Sequence, residues 1–146
     1  MTAPSAPMTA VWGFSATDVF ATGGSTVLHF DGNTWSAMSG VSSVLSSIWG
    51  SSRSDVYAVG PSGIVHYDGH SWALIGSATG GPNAVWGSSA RDVFVACNDG
   101  VVRHYDGTGW TSMSCGTTYD QRGLWGTSGS DVFAVGENAT VVHYGP

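Results

Sequence analysis

A hydrophobic-Trp-Gly triplet occurs four times in this chain, at Trp12, Trp49, Trp86 and Trp125, with separations of 37, 37 and 39 residues. A fixed period of that length means one supersecondary unit written repeatedly, so the fold has to be read from the unit. In its longest form the unit runs from Ile48 to Trp72, IWGSSRSDVYAVGPSGIVHYDGHSW. It recurs from Val11 to Trp35 and from Val85 to Trp110, and in shortened form from Leu124 to Tyr144. The repeats span 11–47, 48–84, 85–123 and 124–146, and a Pro/Ala/Thr-rich tether occupies 1–10.

Each unit reads as four short strands. The first surrounds the Trp-Gly triplet (AVWGFS, SIWGSS, AVWGSS, GLWGTS), and the second alternates Val and an aromatic with small residues (DVFATG, DVYAVG, DVFVAC, DVFAVG). The third (TVLHF, GIVHY, VVRHY, TVVHY) runs into Asp-Gly in three copies, where Gly supplies positive φ without steric cost. The fourth (TWSAMS, SWALIG, GWTSMS) follows within three residues. No segment has a capped helical period, so the chain is expected to be all-β. One such meander is too small to bury both faces. Stacking the units radially as blades buries the faces and protects most edges, which predicts a β-propeller of four-stranded antiparallel blades. A linear β-solenoid is the competing architecture, but its coils are shorter and parallel and need no Asp-Gly hairpin in every repeat.

The pattern Trp-Gly-x-Ser-x-x-Asp-Val-Phe-Ala-Val-Gly, followed by His-Tyr-Asp-Gly-x-x-Trp, resembles bacterial propeller repeats of the Asp-box and lectin-like type. The likeness covers residues 11–144. It implies the propeller fold and leaves activity open, because such propellers carry many functions. One departure is clear: two residues before Asp68, where an Asp box has Ser or Thr, this chain has His66.

Composition narrows the function classes. Charged residues are 10% of the chain, against roughly 25% in typical globular domains. Lysine is absent, and the net charge of −6 opposes the phosphate neutralisation on which nucleic-acid affinity depends. No nucleic-acid partner is expected. No run approaches the roughly 18 apolar residues of a membrane span, and MTAPSAPMTA does not read as an intact signal peptide, which leaves a removed signal open. A surface rich in Ser, Thr, Gly and Asn favours an extracellular or secreted setting. Cys97 and Cys115 do not recur with the repeat and are expected to be free structural thiols.

The recurring polar residues are His29, His66, His104 and His143; Ser15, Ser52, Ser89 and Ser128; and Asp18, Asp55, Asp92 and Asp131. A buried Ser-Asp-His network tying neighbouring strands accounts for all three sets and resembles the hydrogen-bond networks of WD-type propellers. A fourfold decoration is not a catalytic triad, which is one strained constellation. The polar residues that break the symmetry, Asp99, Asp120, Arg122 and Glu137, are scattered in loops, so neither an enzyme nor a metal or other cofactor is expected. Trp12, Trp49, Trp86 and Trp125 should pack between blades. Trp35, Trp72 and Trp110 begin the outermost strand beside Asn33, His70 and Thr108. An exposed aromatic plate flanked by short polar side chains suits a sugar ring, so these six residues are the candidate ligand site.

The fourth repeat stops after Tyr144 and Gly-Pro, with no Asp-Gly-x-x-Trp strand, and the N-terminus does not encode one. The array is expected to close as a four-bladed ring or, the favoured reading, as an eight-bladed ring of two chains, with a fragment cut from a longer natural chain as the third reading. The functional expectation is a non-enzymatic, lectin-like binding module for glycans. Its alternative is a structural or protein-interaction scaffold without a small-molecule site.

Overall fold

The computed structural model describes residues 7–77 and 80–145. Among these residues there is no helix, and fifteen strands form four antiparallel sheets. Blade one holds β1 (Ala10–Ser15), β2 (Asp18–Gly23), β3 (Thr26–Phe30) and β4 (Trp35–Met38). Blade two holds β5 (Ser47–Ser52), β6 (Asp55–Gly60), β7 (Gly63–Tyr67) and β8 (Trp72–Ser77). Blade three holds β9 (Pro82–Ser89), β10 (Asp92–Cys97), β11 (Val101–Tyr105) and β12 (Trp110–Ser114). Blade four has β13 (Gln121–Ser128), β14 (Asp131–Gly136) and β15 (Val141–Tyr144). Each is a simple meander, with sequential strands adjacent. The incomplete fourth blade is as the repeat pattern predicts.

Strand alternation decides which blade each residue touches. In β6, Val56 and Ala58 enter the core shared with blade one, while Tyr57 and Val59 enter the core shared with blade three. The sheets stack face to face in chain order, β1 on β5, β5 on β9 and β9 on β13. The Trp-Gly triplet explains the close approach. A methyl built on Gly87 would come within 2.6 Å of the Trp49 ring, and one on Gly126 within 2.7 Å of the Trp86 ring. Each of these rings therefore lies on the bare backbone of the next blade. At the first interface Phe14 takes that place above Gly50, and Trp12 meets Trp49 with ring centroids 6.1 Å apart.

The third turn of each complete blade follows its Asp-Gly signature. Gly32, Gly69 and Gly107 have φ of +98°, +92° and +88°. The preceding carboxylate accepts two backbone N–H bonds, from Asn33 and Thr34, from His70 and Ser71, or from Thr108 and Gly109. The hydroxyl of Thr108, then those backbone donors, hold the Asp106 carboxyl down to about 2. Backbone donors first, with a smaller contribution from His29 or His70, lower Asp31 and Asp68.

The stack has two open ends. Among the described residues no close strand packing joins blade four to blade one. Trp125 is 59% exposed, whereas Trp49 at the same repeat position is 5% exposed. Of the tether expected over 1–10, residues 1–6 lie outside the described residues. Thr9 is no tether: its N–H donates to the Thr22 carbonyl and its hydroxyl to Thr22 and Leu45 carbonyls, and Ala10 already belongs to β1. No helix of the structure is long and apolar enough to cross a membrane.

Candidate functional site

The recurring histidines and aspartates meet in every blade. Nε2 of His29, His66, His104 and His143 lies 2.7, 2.6, 2.6 and 2.7 Å from Oδ1 of Asp18, Asp55, Asp92 and Asp131. Each imidazole also lies against a ring of the neighbouring strand, Phe20, Tyr57, Phe94 or Phe133, at 4.2–4.5 Å between centroids. The expected network needs two corrections. The hydroxyls on the second carboxylate oxygen are Ser51, Ser88 and Thr127, not the recurring serines. Ser15, Ser52, Ser89 and Ser128 instead accept backbone N–H bonds from Thr17, Ser54, Arg91 and Ser130, closing the first hairpin of each blade. A register shift explains the exchange: Ser52, Ser89 and Ser128 pair opposite the aspartates, and the extra residue before each, at the irregularity in the strand, reaches the carboxylate. The network is also half-buried at the rim rather than enclosed. Blade one has Phe14 where the hydroxyl stands, and Arg53 of blade two supplies the second partner of Asp18 at 3.4 Å.

His66→Ala is expected to lower stability by about 1–3 kcal/mol, because Asp55 loses its imidazole donor and Tyr57 its stacking partner. Urea unfolding measures this. Stoichiometric zinc present in the native protein and lost in the variant would contradict the structural role.

Asp99, Asp120, Arg122 and Glu137 are not scattered. Arg122 reaches Asp120 at 2.9 Å, Glu137 at 2.7 Å and the Asn83 amide oxygen at 3.3 Å, while the Asp99 N–H donates to Asp120. These groups clamp β9 to β13 and satisfy one another. The cue in the sequence was their restriction to the last two repeats. Among the described residues no three His, Cys, Asp or Glu side chains gather as a metal site.

Of the outermost tryptophans Trp72 is not the exposed plate expected of it, while Trp35 and Trp110 are half-buried. Trp72 is 7% exposed, and Trp35, Trp72 and Trp110 pack on Phe30, Tyr67 and Tyr105 at 5.3, 5.3 and 5.4 Å. Strand pairing causes this, since each Trp lies directly opposite that aromatic across the third hairpin. Asn33, His70 and Thr108 have exposed side chains beside these rings, and their N–H groups serve the aspartate turns.

What those tryptophans fill is empty in blade four. Trp72 completes the core between blades one and two, and Trp110 packs against the core between blades two and three. Between blades three and four the corresponding place is an apolar cleft of about 130 Å³, walled by Met113, Cys115, Val102, Val142 and Tyr144. Beside it β15 pairs with β14 on one side and, among the described residues, with nothing on the other. A larger cleft of about 370 Å³ near His29 and Arg53 has its ionic groups already paired with Asp18. Sequence reading named the open edge but not Met113, Cys115 or Val142. The usable signal was Met113 at the position of Met38, which packs against the core that Trp72 completes.

Three solved structures share this arrangement. YCF48 bound to D1 peptide matches with a TM-score of 0.78 and 13% identity, covering 97% of this chain and 51% of that one. YCF48 from Cyanidioschyzon merolae matches at 0.73 and 13%, covering 95% and 51%. A structure of U3-55K matches at 0.84 and 9%, covering 99% and 48%. The fold is a β-propeller. No family model and no curated protein sequence matches the chain. It spans about half the length of the propeller chains it matches. Among the described residues no strand packs closely on the outer face of blade one or blade four, and none pairs with the outer edge of β15.

Proposed function

We propose that this chain is a non-enzymatic β-propeller module for protein interaction, which takes an extended segment of a partner along β15. The observation that carries the reading is the apolar cleft beside that edge, in the place that Trp72 and Trp110 occupy in other blades. An added strand gains affinity from main-chain hydrogen bonds and specificity from the pocket that takes its side chain. The partner's aromatic residue is put opposite Tyr144 by analogy with Trp72, which lies opposite Tyr67. Net charge of −6 disfavours an acidic segment. YCF48, with the same fold, is seen with a peptide, which supports a polypeptide ligand.

The test uses a labelled peptide of sequence Asp-Gly-His-Ser-Trp-Ala-Leu-Ile-Gly, the outer strand of blade two. Saturable binding is expected, with affinity about tenfold or more weaker when the peptide tryptophan is alanine, since one aromatic seat is worth at least about 1.4 kcal/mol. Met113→Arg, which fills the cleft, should abolish it. An inert peptide together with a specific glycan-array signal would replace this reading by carbohydrate binding near Trp35, Trp72, Trp110, Asn33, His70 and Thr108.

A further inference from the structure

The two end faces of the arc carry, at equivalent repeat positions, the residues that meet at the internal interfaces. At the interface of blades one and two, Phe20 and Val27 sit in a core with Leu45, Ala58, Val65 and Trp72. The residues of blade one at the positions of those last four are Met8, Ala21, Leu28 and Trp35, one repeat earlier. They line an open apolar depression of about 220 Å³ on the first face of the arc. The residues of blade four at the positions of Phe20 and Val27 are Phe133 and Val141, by their strand pairings with His143 and Val135. Val141 is 69% exposed on the last face, whereas Ile64 at the same position in blade two is fully buried.

The knob of the Trp-Gly triplet repeats the argument. Trp49 rests on Gly87 and Trp86 on Gly126. Trp125 on the last face has no glycine beneath it, and Gly13 on the first face has only its own blade nearby, with Val11 beside it 67% exposed. One face offers the ring and the other the bare backbone.

We propose that two copies of this chain close into one ring, each last face docking on the other's first face about a twofold axis. Two identical interfaces form, with Trp125, Phe133 and Val141 of one copy over Gly13 and the Met8–Trp35 depression of the other. The chain matches 48–51% of the length of the propeller chains it resembles, and eight blades fall within the known range of such rings. A contact of unlike faces closes as a ring or runs on as an open polymer, and four blades per chain favour closure at two. The outer edge of β15 stays free in the ring.

Light scattering and sedimentation of the 146-residue chain at micromolar to millimolar concentration test this. The expected mass is twice that of the 15.0 kDa chain. Trp125→Arg and Val11→Glu, both exposed in the single chain, should each halve the mass while circular dichroism is unchanged. Mixing the two variants should restore the doubled mass, because the mixed ring has one native interface and one Arg–Glu interface. A single-chain mass at every concentration overturns the proposal and leaves the end faces to another occupant, such as further blades of a longer polypeptide. A mass that keeps growing with concentration overturns ring closure. A doubled mass that neither variant disturbs places the dimer contact elsewhere.

Discussion

Replacing Gly145-Pro146 by Asp-Gly-His-Ser-Trp-Ala-Leu-Ile-Gly is expected to raise the melting temperature by several degrees and to abolish binding of the free peptide. The added segment copies the outer strand of blade two, and Tyr144 precedes it as Tyr67 precedes Asp68. Its Asp-Gly turn therefore delivers the strand to β15 in the register of the other blades. The tryptophan then enters the cleft of about 130 Å³ against Met113 and Val142. Burying such a side chain removes on the order of 150–200 Å² from water, worth roughly 4–5 kcal/mol at about 25 cal/mol per Å². Ordering the strand offsets much of this, and the new backbone hydrogen bonds restore part. A net gain of about 1–3 kcal/mol corresponds to a rise of roughly 3–10 °C for a domain of this size. Calorimetry reads the first effect and peptide titration the second. An unchanged melting temperature with peptide binding intact would remove β15 from the functional account.

Trp49→Ala should cost about 3–5 kcal/mol, a large share of the roughly 5–15 kcal/mol that a domain commands. Trp49 is buried between blades two and three and lies on Gly87. Its removal opens a cavity that two rigid sheets cannot close. Gly87→Ala, in the unmodified chain, should cost about 1–3 kcal/mol by overpacking. Combined, the two should cost less than their sum, because the methyl no longer meets the ring. The relief is partial, since the Asp92 carbonyl would still stand 2.8 Å from that methyl. A double-mutant cycle by urea unfolding should give a coupling of at least about 0.5 kcal/mol. Additive effects would show that the ring and the glycine are not a unit. Trp125→Ala, measured on protein dilute enough to be a single chain, should cost far less because its ring is mostly in water.

The fold was legible because every level of the sequence agreed. Period, alternation and the Asp-Gly turns all named the same meander, and Gly32, Gly69 and Gly107 adopt the positive φ those turns require. The candidate site was legible only in part. The open edge followed from counting strands, whereas the cleft depends on which face each strand turns inward. A one-residue shift in register gave Ser51 rather than Ser52 to Asp55. Exposure of Trp72 was misjudged because the start of an outer strand reads as a rim, while pairing with Tyr67 turns the indole inward. Arg122 and Glu137 are far apart in sequence and meet only because β13 and β14 pair. No local pattern announces such a meeting.

Stacking in chain order has a consequence for how the molecule forms. Each interface joins blades adjacent in sequence, β1 to β5, β5 to β9 and β9 to β13, and among the described residues no close strand packing joins the last blade to the first. Such an arrangement keeps loop-closure entropy low for a β protein, and low contact order favours rapid folding. During synthesis the blades are able to dock one after another as they leave the ribosome, each new sheet covering the face its predecessor exposes. Apart from the first face of blade one, the apolar surface awaiting cover at any moment is then one face of the newest blade, whatever the length of the finished array.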